Sequence, residues 1–431
     1  MKYADCPAVP GRGQNILIDG HRKTPIETFL EQLNDPLIFV LFMAAAISML
    51  LSEFSDAVII LTNSLDRILE INEEEMYAVV EPGVITCDLA AAVAARGLFY
   101  PPDPGSMSVS TMGGNIAENS GGLRGLKYGT TKKYVMGLEV LTETGEIMKT
   151  GACGRGCEYG YNLTELLVAS EGTLALTSKA VLKLVTPPKA SKAMMAIFPE
   201  VKRASQAVAG IIAAHVVPCT LEFMDNATIN YVEDYVNIGL PRDAAAILLI
   251  EVDGHPAQVA DEAVSVEKVL KDSGALEVVV AKDAAEKTRI WEARRVAIPA
   301  LARCRPTLML EDATVPRSKI PAMLEALDKI AARHHVTIGT FGHAGDGNLH
   351  PSILCDKRDK EEFSRVERAV DDLFNVALEL GGTLSGEHGI GTSKKKWLEL
   401  ETSKGTLEYM RRMRSAFDPK KLLNASKIVS L

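Results

Sequence analysis

Positive charge is in short supply. The 431-residue chain carries 47 Lys and Arg against 56 Asp and Glu, a net charge of −9. Binding to nucleic acid is therefore not expected, because phosphate recognition needs a basic face. An anionic small substrate stays open, since it needs only one or two local cations. Cysteine is sparse and unpatterned. Cys6, Cys87, Cys153, Cys157, Cys219, Cys304 and Cys355 are odd in number and irregular in spacing. The only close pair, Cys153 and Cys157, has three residues between rather than two, which argues against a zinc or iron–sulfur site and for ordinary thiols in a reducing cytoplasm. No short repeat is present. Residues 1–20 have no apolar core, so a signal peptide is not expected. No GxGxxG opens a helix after a strand, so the Rossmann fingerprint is missing. Leu37–Leu51 is an uncharged apolar run of fifteen residues, short of the roughly 20 needed to cross a bilayer. Periodicity leaves it open between a buried helix and a membrane span.

Against these absences stands ordinary globular material. Apolar residues make up 47% and charged residues 24%, in a chain long enough for two or three domains. RILEINEEEMYAVVEPGVITCDLAAAVAARG (67–97) reads as strand, turn, strand and an Ala-rich helix ending at Gly97. YVMGLEVLTETGEIMKT reads as a hairpin, and LALTSKAVLKLVTPP as a strand stopping at Pro187 and Pro188, a plausible domain boundary. Beyond it, helical runs alternate with strand-like runs such as AAAILLIEVDG. That pattern suits an antiparallel sheet with helices on one side. From about Asp356 the chain is mainly helical with loops.

The irregular stretch 99–131, FYPPDPGSMSVSTMGGNIAENSGGLRGLKYGTT, is rich in glycine, proline and small polar residues. A run of that length inside a compact domain is usually functional. Its glycines let backbone approach a ligand and present N–H groups, so a cofactor cradle is favoured over a solvated surface loop. ASEGTLALTSK (169–179) would be unremarkable alone. GTFGHAGDGNLHPSI (339–353) has an Asp346-Gly347 turn between two extended arms. A hairpin there brings His343 and His350 to the same end of a sheet, a plausible metal pair, although a histidine pair at this spacing is structural in most proteins. In GGTLSGEHGIGTSKK (381–395), glycines flank Glu387 and His388 and aim both at one place. Glu387 would complete a set of two histidines and one carboxylate, and His388 suits a general base; a loop bearing a surface charge pair is the alternative. Arg294, within the helical IWEARRVAIPALA, is a weaker candidate for a substrate carboxylate, because most helical arginines are solvated.

PPDPGS, TMGGNIAENSGG, KYGTT, SEGTL, GHAGDGNLH and GEHGIG, in this order, resemble the glycolate oxidase D-subunit and D-lactate dehydrogenase branch of the vanillyl-alcohol-oxidase flavoprotein family. The resemblance covers residues 63–431. It implies an α+β fold: a truncated, two-subdomain FAD-binding domain of the PCMH type over 63–187, then an antiparallel-sheet substrate domain over 188–431 with a helical C-terminus. It implies FAD as cofactor, lined by Pro102, Asp103, Gly105, Ser106, Thr111, Gly113, Gly114, Asn115, Ala117, Gly121 and Gly122, with Glu171, Gly172, Leu176 and Asn424 nearby. It places a divalent metal such as zinc on His343, His350 and Glu387, the catalytic base at His388 and the substrate carboxylate at Arg294. The implied activity is oxidation of a small 2-hydroxy acid to the 2-oxo acid, with electrons leaving to an iron–sulfur subunit or a quinone pool.

Two departures accompany the resemblance. Ala175 stands where the family usually has a glycine. Residues 12–62 resemble instead the N-terminal region of cation-transporting P-type ATPases, and occupy the place of the family's first FAD subdomain with its Gly-rich pyrophosphate loop. An ion pump is excluded, because the DKTGT phosphorylation motif is absent. The alternative expectation is a chimeric, non-catalytic remnant unable to hold FAD. The protein is expected in the cytoplasm, with residues 36–62 as the stretch that could associate it with the inner face of a membrane.

Overall fold

A computed structural model describes residues 62, 64–151 and 160–430. The pump-like segment and the Cys153/Cys157 pair lie outside the described residues.

The first sheet has five antiparallel strands in the order β1–β2–β5–β3–β4. They are β1 (Ile68–Asn72), β2 (Tyr77–Val80), β3 (Val135–Leu141), β4 (Ile147–Gly151) and β5 (Leu176–Lys183). Alternation decides which side is dry: in β2, Ala78 and Val80 point inward while their neighbours are half-buried. Helix α1 (Thr86–Ala94) lays Leu89 and Val93 on that side and is followed by Gly97 at φ +73°. Each large apolar side chain buried this way contributes about 1.5–3 kcal/mol. Helix α2 (Met112–Glu118) adds Met112 and Ile116 to the same core.

Past Pro187 and Pro188 the chain enters a second antiparallel sheet. Its strands are β6 (Ala190–Phe198), β7 (Thr220–Asp225), β8 (Ala246–Gly254), β9 (Glu277–Val280), β10 (Thr307–Leu310), β11 (Ala313–Thr314), β12 (Thr337–His343) and β13 (Asn348–Cys355). The order is β10–β13–β12–β7–β8–β6–β9, with β11 paired to β13.

One expectation fails here: helices cover both faces of this sheet. β8 shows why. Its Ala246, Leu248, Ile250 and Val252 enter one core with α3 (Val201–Ala213), α5 (Pro256–Asp272), α8 (Ile320–His334) and α9 (Lys360–Glu379). Its Ile247 and Leu249 enter another with α4 (Asn226–Val236), α6 (Ala284–Arg295) and α7 (Ala297–Cys304). A strand apolar on both sides needs two covers.

Helices α10 (Lys395–Glu401) and α11 (Lys404–Phe417) close the chain. Buried Arg414 then pins the last loop by donating to the carbonyls of Leu423 and Val429. Asp253, in β8, bolts the two halves together: Lys127 Nζ donates to its Oδ1 at 2.6 Å and the Tyr128 hydroxyl to its Oδ2 at 2.7 Å. Among the described residues no helix is long and apolar enough to cross a membrane.

Candidate active site between the two sheets

The β12–β13 hairpin forms as its Asp-Gly turn predicts. Gly347 takes φ +79°, and a Cβ there would collide with the Val315 carbonyl, so the tight turn requires glycine. Register pairs Phe341 with His350 and His343 with Asn348. The two imidazoles meet edge to face with ring centroids 5.0 Å apart, both nearly sealed from solvent.

Glu387 and His388 arrive on a loop shaped by a residue far away in sequence. Oδ2 of Asp312, buried between β10 and β11, accepts from the backbone amides of Gly386, Glu387 and His388 at 2.8, 3.0 and 3.0 Å. It also accepts from the Ser385 hydroxyl at 2.8 Å. Held this way, Glu387 Oε1 lies 3.0 Å from His343 Nε2 and 3.3 Å from His350 Nε2. His388 stacks on His350, centroids 5.0 Å apart and planes 14° from parallel. Its side chain is 34% exposed, against 6% for His343 and 4% for His350, so it alone of the three faces open space.

Burial favours the neutral forms here, and the neighbours decide which groups yield. Burial pulls His343 down, but the Glu222 and Glu387 carboxylates more than offset it and raise the imidazole to about 10. Burial prevails at His350, whose pKa falls below its ordinary value. Burial pushes Glu387 up, yet His343 and His350 hold it well below the usual carboxylate range. The same contest at Asp312, against His388, Lys394 and His350, leaves it at about 2.

A second layer stands behind His343. Glu222, on β7 and fully buried, accepts from His343 Nδ1 at 2.7 Å through Oε1 and from Arg294 Nε at 2.6 Å through Oε2. The Arg294 guanidinium also lies over the Phe341 ring, 4.6 Å from its centroid. Arg294 is thus committed to Glu222 through one nitrogen, which the sequence did not reveal.

The glycine-rich stretch forms the opposite wall. Thr111 caps α2 by accepting from the Gly114 amide at 3.2 Å, and Asn115 donates to Thr86 Oγ1 at 2.7 Å. Gly113 packs on Pro82, where a Cβ would not fit. Gly122 takes φ +111° against the Asp103 carbonyl, again with no room for a Cβ. A Cβ on Gly121 would stand 3.0 Å from Glu387 Oε2, so this wall abuts the histidine–carboxylate cluster. A cavity of about 180 Å³ lies between, with Gly121, Gly122 and Gly125 on one side and His343, Asp346 and Glu387 on the other. Pro102, Gly105 and Ser106 lie in the same stretch, and around Gly105 the space is open. Ala117, in α2, accepts through its carbonyl from the Glu171 amide at 3.0 Å. Glu171 turns its carboxylate to the amides of Ile390 and Gly391 at 2.7 and 2.8 Å, just past His388. Asn424 donates to the Glu171 carbonyl at 2.6 Å and packs beside Gly172, and Leu176 opens β5.

The family described as FAD linked oxidases, C-terminal domain, matches residues 187–428, and the family described as FAD binding domain matches residues 26–151. The chain belongs to the FAD-linked oxidases. It is 49% identical over 370 residues to the glycolate oxidase subunit GlcD of Bacillus subtilis, covering 86% of this chain and 79% of that protein. It is 32% identical over 381 residues to the D-lactate dehydrogenase of Anaerostipes hadrus, covering 86% and 80%. The structure of p-cresol methylhydroxylase with substrate bound shares the fold, with a TM-score of 0.70 at 14% identity over 85% of this chain and 79% of that one. The FAD-domain match begins at residue 26, inside the stretch read as pump-like, and none of these matches carries the pump resemblance.

The residues of this FAD-linked oxidase fit a flavin at the glycine wall. Space around Gly105 is open, and buried Asp103 Oδ1 lacks a hydrogen-bond partner. Ala175 is accommodated inside the first core, next to Leu174. The histidine cluster fits a divalent cation, since two imidazole nitrogens and a carboxylate oxygen converge as ligands do. Sequence reasoning missed Glu222, Asp312 and Lys394. An acid in the buried strand TLEFMD was the available signal for Glu222; nothing local marks Asp312.

Proposed function

We propose that this FAD-linked oxidase converts a small 2-hydroxy acid, glycolate or D-lactate in kind, to the 2-oxo acid. The observation that carries the reading is the convergence of His343, His350 and Glu387 beside Gly121, with His388 facing the open side. Its relatives named for glycolate and D-lactate support the same substrate class.

FAD held at the glycine wall would supply the hydride acceptor, and a divalent cation held by His343, His350 and Glu387 would supply Lewis acidity toward the substrate hydroxyl. The chain supplies placement and proton transfer. Arg294 has nitrogens beyond the one given to Glu222, and these hold the substrate carboxylate. His388 takes the hydroxyl proton at its ring nitrogen; stacking on His350 fixes its plane and its exposure lets the proton go on to solvent. Gly121, bare of a side chain, lets the glycine-rich wall approach Glu387 closely. Electrons pass onward to a partner subunit with iron–sulfur centres or to a quinone pool.

Replacing His388 with Ala tests the assignment. Turnover of glycolate and D-lactate should be lost while flavin absorbance per chain is unchanged. Normal turnover in that variant would refute the base, and purified wild-type protein devoid of flavin bands would favour the non-catalytic alternative.

A further inference from the structure

Two buried atoms in the site have no partner, and they face each other. Asp312 Oδ1 accepts no hydrogen bond, although Oδ2 of the same carboxylate accepts four. His350 Nδ1 is likewise sealed from water without a partner. They stand 3.9 Å apart, with Asp312 fully buried and His350 3% exposed. That is beyond hydrogen-bond length but well within the range where a carboxylate decides which imidazole nitrogen keeps the proton. On the far edge of the ring, His350 Nε2 points at Glu387 Oε1, 3.3 Å away. His343 shows the same arrangement already closed, with Nδ1 on Glu222 at 2.7 Å and Nε2 on Glu387 at 3.0 Å.

We propose that Asp312 is the positioning carboxylate of His350, holding the proton on Nδ1 so that Nε2 is bare and aimed at the cation. The inference rests on the reading of His343, His350 and Glu387 as the cation set. An imidazole ligates only through an unprotonated nitrogen, and the acceptor on its other nitrogen fixes which one that is. Asp312 is placed to do this for both arms of the site at once. Oδ1 orders His350, and Oδ2, through successive backbone amides, orders the loop that carries Glu387 and His388. Lys394 Nζ, 3.6 Å from Oδ2, holds the negative charge in place while donating to the Leu384 carbonyl. The two protein ligands that are histidines are thereby each backed by a buried acid from a different strand or link of the second sheet.

Asp312→Asn separates this role from loop anchoring. Its carbonyl oxygen can still accept the amides of residues 386–388, but its NH2 then faces His350 Nδ1. A donor there forces the proton onto Nε2, the nitrogen that should ligate. Chelator-stripped full-length protein would be titrated with Zn2+ by calorimetry, with flavin content and melting temperature as controls. Wild type should bind one Zn2+, and the variant should bind about tenfold to a hundredfold more weakly at unchanged flavin content. Wild-type affinity in the variant overturns the inference. Failure of wild type to bind Zn2+ overturns the cation reading itself, which is a separate result. Should the variant not fold, protein labelled with 15N-histidine decides the matter. Long-range proton–nitrogen correlations should show His350, assigned by its loss in His350→Gln, protonated on Nδ1; a proton on Nε2 overturns the inference.

Discussion

Glu222 Oε2 accepts from Arg294 Nε at 2.6 Å in a place where neither side chain reaches bulk water, at 0% and 5% exposure. The pair joins β7 to α6 and supports His343 from behind. Removing one partner of a buried pair costs about 3–5 kcal/mol when the remaining charge is left uncompensated; Glu222 keeps His343 as a second partner, so the loss here should lie at or below the lower end of that range. Arg294→Met keeps the bulk and removes the charge. It should lower the unfolding free energy from urea titration by up to about 3 kcal/mol, read as a lower midpoint at unchanged slope, and raise the KM for the 2-hydroxy acid. An unchanged midpoint would show that the ion pair is no strut, and an unchanged KM that Arg294 does not hold the substrate.

The raised pKa of His343 sets a second expectation. Without a cation, the Glu222 and Glu387 carboxylates outweigh the effect of burial and keep this imidazole protonated up to about 10, from an ordinary 6.5. The sign follows directly. In the metal-free chain this charge contributes stability that is whole below 6.5 and is lost as pH rises through about 10. A cation must evict the same proton to reach Nε2. Zn2+ binding at neutral pH should therefore release about one proton, with apparent affinity rising about tenfold per pH unit below that pKa. Calorimetry in two buffers of different ionisation enthalpy measures the count. Binding without proton release would mean that His343 is neutral in the free protein.

How far these features were legible in the sequence depends on how local their causes are. The β1–β2 hairpin and the β12–β13 turn at Asp346-Gly347 are written in a few adjacent residues, and each took the expected form. His343, His350, Glu387 and His388 stood out because glycines surround them, and the structure brings all of them together. Glu222 did not. In TLEFMD, Leu221 and Phe223 alternate with Glu222, which reads as a polar position turned to water. That reading assumes a sheet covered on one face. Because α4, α6 and α7 cover the other, the outward position of β7 is an interior one. The expectation of helices on one side only therefore goes together with overlooking this acid. Asp312 was hidden differently. Its partners are backbone amides more than seventy residues later, and backbone leaves no trace in side-chain pattern.

Glu118 gives the last expectation. It ends α2 against the His388 loop, close enough that Gly389 could bear no side chain, and its buried Oε2 has no hydrogen-bond partner. Burial first, and the nearby Glu171 carboxylate second, raise its carboxyl from 4.5 to about 7. The folded protein therefore holds this proton more tightly than the unfolded chain does between those two values. Stability falls as pH rises from 4.5 to about 7, and the penalty persists above. Glu118→Gln mimics the protonated form at every pH. Solvent reaches part of this side chain, so the gain is modest, on the order of 1 kcal/mol. The variant should melt higher than wild type at pH 8 and nearly the same at pH 5, in scans of flavin-loaded protein. Identical melting at pH 8 would mean that Glu118 ionises without cost, and that the junction between α2 and the His388 loop is wetter than its packing indicates.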